Sequence, residues 1–148
     1  MSKKPVTPPA RKVAVLGAGS WGTTFAKILA DGGNDVMLWA RRDDLAEDIN
    51  ETHRNSDYLR GIRLPLNLVA TSSMAAAVKN AEQVYLCVPS QTLRENLVQL
   101  APLLRDDQIV ISIMKGVERK TGLRMSEVIA EELPISPDMV AVASGPNL

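Results

Sequence analysis

The apolar run Lys12-Val13-Ala14-Val15-Leu16 passes without a break into Gly17-Ala18-Gly19-Ser20-Trp21-Gly22, after which the apolar residues take helical spacing. No other feature of the chain restricts its fold as much. A G-x-G-x-x-G stretch standing alone is weak evidence, but strand, glycines and helix in register make it specific. Gly17 permits the tight turn, Gly19 lacks the Cβ that would hold a pyrophosphate off the backbone, and Gly22 lets the helix pack close to the strand. The unpaired N–H groups and positive dipole end of that helix then suit phosphate. A strand–turn–helix without a ligand is the weaker alternative.

The rest of the chain repeats the alternation. After the first strand, a helix from Ser20 presents Trp21, Phe25, Ile28 and Leu29 as its apolar face, and Asp31-Gly32-Gly33-Asn34 stops it. Val36-Met37-Leu38-Trp39 is a second strand, and Asp43 or Asp44 caps a helix to about His53 with Leu45 and Ile49 inward. Residues 54–67, which contain Gly61 and Pro65, form a loop. Leu68-Val69-Ala70 is a short strand, and Ser72 or Ser73 opens a helix through Val78. Val84–Val88 is the next buried strand, followed by a helix from Ser90 to about Leu100 with Leu93, Leu97 and Leu100 on one face. Ile109–Ile113 is a strand, Thr121 caps a helix carrying Leu123, Val128 and Ile129, and Met139–Val142 is a last strand. Residues 1–10, with three prolines and two lysines, are expected to be a disordered tail. Strand and helix in turn, joined by right-handed crossovers, make an α/β domain with a doubly wound, mainly parallel sheet, a Rossmann-type dinucleotide-binding domain over residues 11–148.

Composition narrows the function. At 148 residues, 45% hydrophobic and 23% charged, the chain is sized for one soluble domain with an aliphatic core. Seventeen basic residues balance seventeen acidic ones, which argues against nucleic acid. No apolar stretch is long enough for membrane insertion, and no signal peptide opens the chain. One cysteine and one histidine exclude a Cys-based zinc site and a histidine cluster, so no metal is expected, and the lone cysteine suits a cytoplasmic protein.

An NAD-selective site usually has an acid at the end of the second strand for the ribose 2′-hydroxyl. Here that strand ends Trp39-Ala40-Arg41-Arg42, with no acid until Asp43. Paired guanidiniums chelate a 2′-phosphate that a carboxylate would repel, so NADP(H) is preferred and NAD(H) remains open. Val88-Pro89-Ser90 and Met114-Lys115-Gly116 also fall at strand ends, where ligands of open α/β sheets bind. Lys115 there offers a cation to a phosphate or a polarised oxygen. Ser144-Gly145-Pro146-Asn147 closes the last strand on the same edge. Cys87, within an apolar strand, is expected to be inert, and His53 at a helix end to be solvated. Tyr58 either reaches the cofactor cleft or anchors its loop.

Taken in order, Gly17-Ala18-Gly19-Ser20-Trp21-Gly22-Thr23, Leu38-Trp39-Ala40-Arg41, Asn55 to Tyr58-Leu59, Val88-Pro89-Ser90, Lys115-Gly116-Val117-Glu118 and Ser144-Gly145-Pro146-Asn147-Leu148 resemble the N-terminal half of bacterial NAD(P)-dependent glycerol-3-phosphate dehydrogenase. The resemblance covers about residues 11–148. It implies hydride transfer between NAD(P)H and dihydroxyacetone phosphate or sn-glycerol 3-phosphate, supplying glycerophospholipid synthesis. It further implies Ser20 and Trp21 at the pyrophosphate turn, Arg41 and Arg42 on the adenosine ribose phosphate, and Tyr58 as a further cofactor contact. Lys115 would lie between nicotinamide and substrate, with Gly145 and Asn147 on the substrate side. Asn147 stands where many relatives have Ser or Thr. The family's helical C-terminal domain, with its general-base lysine, is absent from residues 1–148, so no catalytic base is expected within them and little turnover. A homodimer of the full-length protein is compatible with this reading. Two rivals are the N-domain of another NADP-dependent hydroxyacid or ketopantoate-type reductase and a non-catalytic nucleotide-sensing module.

Overall fold

The computed structural model describes residues 9–144. Residues 1–8 of the expected tail, together with Gly145 and Asn147, lie outside that range. The chain alternates β1 (Lys12–Leu16), α1 (Ser20–Asp31), β2 (Asp35–Trp39), α2 (Asp43–Thr52), β3 (Leu68–Thr71), α3 (Met74–Val78), β4 (Gln83–Leu86), α4 (Leu93–Leu100), β5 (Ile109–Ser112), α5 (Met125–Glu132) and β6 (Val140–Val142). Short 3-10 turns precede and follow α4 and precede β6. The six strands are parallel and ordered β3-β2-β1-β4-β5-β6, the doubly wound topology expected from the alternation.

Strand periodicity splits the core into two layers, because successive side chains leave a strand on opposite faces. Ala14 and Leu16, with Val84, Leu86 and Val110, meet α3, α4 and α5 through Val78, Leu93, Leu97, Val128 and Ile129. Val13 and Val15, with Val36 and Leu38, meet α1 and α2 through Ala26, Ala30, Leu45 and Ile49. The reversal of strand order between β1 and β4 opens a crevice at the carboxyl ends of the strands, and the loops that fill it carry the candidate site.

Several local expectations need correction. The face of α1 that meets the sheet is Gly22, Thr23, Ala26 and Ala30, not Trp21, Phe25, Ile28 and Leu29. Trp21 and Ile28 are more than half exposed, and Phe25 and Leu29 pack on the flank. Small residues win the central face because the helix lies so close to β1 that larger side chains do not fit beneath it. Asp43 and Asp44 do not cap α2: they occupy its first turn, where they complement the dipole, and Arg42 takes the N-cap position. Thr121 does not cap α5 either. The chain folds back on itself first, with Val117 bridging Arg124, and α5 starts at Met125 where the Glu127 carboxylate accepts the Arg124 N–H at 2.8 Å. β4 and β5 end one or two residues earlier than expected, which frees Cys87, Val88 and Ile113 to line the crevice. His53 is half-buried rather than solvated, ending α2 in the left-handed conformation with Nδ1 buried and without a partner among the described residues.

Candidate dinucleotide site

β1 delivers the glycine turn at the centre of the crevice. Gly17 adopts φ +124°, and a Cβ there would sit 2.7 Å from the Cys87 carbonyl carbon of the neighbouring strand end. A Cβ on Gly22 would overlap the Gly17 carbonyl, lying 3.0 Å from its carbon, so the first turn of α1 rests directly on the loop that feeds it. Gly19 differs, because a Cβ there would meet nothing within 4 Å. The backbone beside it faces open space, and no side chain caps α1, whose N-cap position Gly19 holds. A bare twelve-residue helix aimed at a void is an anion-binding arrangement.

That void is a cleft of about 880 Å³. Gly17, Gly19, Ser20, Trp21 and Gly22 form its floor, Arg41, Arg42 and Tyr58 stand at the β2 end, and Lys115 stands at the β5 end. All the cofactor-side residues singled out from the sequence therefore share one surface. The Trp21 indole is 53% exposed and donates Nε1 to the Ile113 carbonyl at 3.1 Å, which links α1 to the end of β5. Its ring leans on Phe25, and Phe25 on Tyr85, at centroid separations of 5.9 and 5.2 Å. Cys87 lines the same cleft instead of lying within a strand. Burial pushes its thiol up to about 11, so it stays protonated and inert at neutral pH.

The two arginines are not equivalent. Arg41 is exposed and makes no ion pair among the described residues. Arg42 pairs closely with Asp57 and lies 3.6 Å from Asp44, and these carboxylates, Asp57 first, raise its guanidinium above the ordinary value. The expected pair of free guanidiniums is thus one free and one engaged.

At the other end, Lys115 is exposed on a loop that α4 and its preceding turn clamp. Gln91 donates Nε2 to the Val117 carbonyl at 2.9 Å and accepts the Arg119 N–H at 3.0 Å. Arg94 grips Glu118 with two bonds of 2.9 Å and also pairs with Glu131 and Glu132 of α5. The Arg94 guanidinium, helped by the Thr121 hydroxyl, holds the Glu118 carboxyl down at about 2.

Asn55, to which the sequence assigns no role, supplies a further tie. It is fully buried, and its Nδ2 donates to the Ala18 carbonyl at 2.9 Å and to the Thr23 hydroxyl at 2.8 Å. Its Oδ1 accepts the Tyr58 N–H at 3.2 Å. Asn55 therefore bolts the irregular loop to the glycine turn. Its trace in the sequence is its place at the head of the family-like segment Asn55 to Leu59, and nothing in that irregular stretch shows what it bonds. Among the described residues no cluster of His, Cys, Asp and Glu is arranged for a metal, and no helix is long and apolar enough to cross a membrane.

Residues 12–148 match the family model described as NAD-dependent glycerol-3-phosphate dehydrogenase N-terminus. A glycerol-3-phosphate dehydrogenase [NAD(P)+] from Leifsonia xyli is 64% identical over 134 residues, which is 90% of this chain and 36% of that protein. The solved glycerol-3-phosphate dehydrogenase of Coxiella burnetii superimposes with a TM-score of 0.83 at 31% identity, over 94% of this chain and 42% of that one. A ketopantoate reductase of the PanE/ApbA family from Ralstonia eutropha shares the fold less closely, with a TM-score of 0.68 at 26% identity, over 90% of this chain and 40% of that one. The chain spans roughly two fifths of the length of each of these proteins.

Proposed function

The chain belongs to the NAD-dependent glycerol-3-phosphate dehydrogenase family, and from that premise we propose that it is the cofactor-binding part of an oxidoreductase acting between dihydroxyacetone phosphate and sn-glycerol 3-phosphate. NADP(H) is its preferred cofactor and NAD(H) its second. The observation that carries this reading is the open space over Gly19 at the uncapped start of α1, within a cleft sized for a dinucleotide. A bound nicotinamide supplies or accepts the hydride.

The residues of the chain do the positioning. The turn Gly17–Gly22 and the first N–H groups of α1 hold the pyrophosphate. Arg41 and Arg42 face the 2′-phosphate, with Tyr58 beside them. Ser20 and Trp21 contact the cofactor at the glycine turn, Lys115 lies between nicotinamide and substrate, where its ammonium polarises the substrate oxygen, and Gly145 and Asn147 are assigned to substrate binding. Alcohol oxidation also needs a base for the hydroxyl proton. In this proposal that base is a lysine of a helical domain beyond residue 148, so the 148 residues bind cofactor with little turnover. The activity belongs to the cytoplasm and feeds glycerophospholipid synthesis.

Calorimetric titration of the chain with NADPH and with NADH, at one fixed salt concentration, tests the reading. NADPH should bind about tenfold tighter or better, in keeping with one charge-assisted bidentate contact. Equal affinities would remove the arginine argument and keep the domain. Binding of neither cofactor would overturn the proposal.

A further inference from the structure

The end of β2 runs straight into two arginines without an acid, yet the fold brings a carboxylate there from a distant part of the chain. Asp57 lies in the irregular loop after α2, between Asn55 and Tyr58. Both neighbours are held, since Asn55 is bonded to the Ala18 carbonyl and the Thr23 hydroxyl beneath the glycine turn, and the Tyr58 N–H is bonded to Asn55. The Leu59 N–H closes the same turn on the Asn55 carbonyl at 2.8 Å. Asp57 is thus presented to Arg42 by a loop bolted to the cofactor turn, and it engages the guanidinium directly.

We propose that Asp57 is a specificity-determining residue that tempers the preference for a 2′-phosphorylated cofactor. This inference rests on the reading that Arg41 and Arg42 face the adenosine ribose. A 2′-phosphate must displace the Asp57 carboxylate from Arg42 and sit near its negative charge, which weakens NADPH. A ribose 2′-hydroxyl, by contrast, finds in Asp57 an acceptor of the kind that NAD-selective sites place at the end of the second strand. Arg42 and Asp57 are each about half exposed, at 47% and 51%, so their pair is weak and exchangeable. Asp57 therefore tunes the choice between the cofactors, and free Arg41 keeps NADPH bound.

The test is a set of titrations of the chain and its Asp57→Asn variant with NADPH and NADH, each protein checked for an unchanged melting temperature. Asp57→Asn should raise the affinity ratio of NADPH over NADH about threefold to fivefold, mainly by tightening NADPH. The gain should vanish when Arg42→Ser is added. An unchanged ratio, or equal weakening of both cofactors, would overturn the inference. The double variant Arg41→Ser/Arg42→Ser separates the two levels of the argument. If it weakens NADPH selectively while Asp57→Asn does not move the ratio, only the role of Asp57 falls. If it weakens both cofactors equally, the ribose reading falls, and the role of Asp57 with it.

Discussion

The glycine turn and the Lys115 loop line one cleft, and they are fixed by different means. In the turn, backbone packs on backbone: Gly17 against the Cys87 carbonyl, and Gly22 against Gly17 itself. No charge holds it, so pH and salt have little to act on. The Lys115 loop has backbone bonds of its own, such as the Glu118 N–H to the Leu123 carbonyl at 2.8 Å, but side chains fasten it to the rest of the fold, with Gln91 on two of its backbone groups and Arg94 on Glu118. Steric fixing suits a site whose ligand must approach the main chain to within van der Waals contact. Fixing by a partly buried, bidentate ion pair such as Arg94–Glu118 gives the loop a hold that titrates instead.

Gly22→Ala breaks the steric side hardest. Its Cβ overlaps a carbonyl group, not the flexible end of a side chain, so α1 must lift off β1. The expected cost is about 3 kcal/mol or more, read as a fall of roughly 10 °C in melting temperature, with cofactor binding lost as well. Retained stability would mean that the turn relaxes freely, and the contrast drawn here would fail. Gly19→Val sharpens the same point. Because its Cβ meets nothing within 4 Å, the melting temperature should stay within a few degrees of the parent, while NADPH affinity drops about a hundredfold or more as the side chain fills the pyrophosphate space. Tight binding by this variant would sink the assignment of that space to the cofactor.

The sequence carried the parts of this architecture that local rules determine. The bounds of β1 and α1, the order of the elements and the inward leucines of α4 follow from periodicity and from glycine placement. The buried face of α1 did not, because a hydrophobic period counts side-chain size in favour of burial while close helix–strand contact selects against it. The caps of α2 and α5 were misplaced for another reason. The acids in the first turn of α2 look like caps in a sequence, and only the backbone conformation at Arg42 shows otherwise, whereas Thr121 sits in a fold-back that delays α5 to Met125. What Asn55, Asp57 and Glu118 bond was not legible, although the family-like segments Asn55 to Leu59 and Lys115 to Glu118 contain them, and Arg94 was not singled out. The contacts that tie them across the fold span 15 to 38 residues of chain, and no local pattern encodes such contacts.

The smallest expected effect concerns the electrostatic side. Arg94 first, and then the Thr121 hydroxyl, hold the Glu118 carboxyl at about 2, well below its ordinary 4.5. A carboxylate more acidic in the folded than in the unfolded chain stabilises the fold above its unfolded value, and loses that contribution as pH falls towards its folded value. Protonation of Glu118 therefore loosens the Lys115 loop between about pH 4.5 and 2 and has no effect near neutrality. Glu118→Gln removes the titrating group. The difference in melting temperature between parent and variant should be constant from pH 7 to about 5 and shrink towards zero at pH 2, as other carboxylates titrate equally in both proteins. Amide exchange in residues 115–119 should follow the same course, while exchange in the glycine turn does not, since nothing there titrates in that range. A difference that persists unchanged to pH 2 would show that packing, and not charge, holds the loop, and the glycine turn and the Lys115 loop would then be built alike.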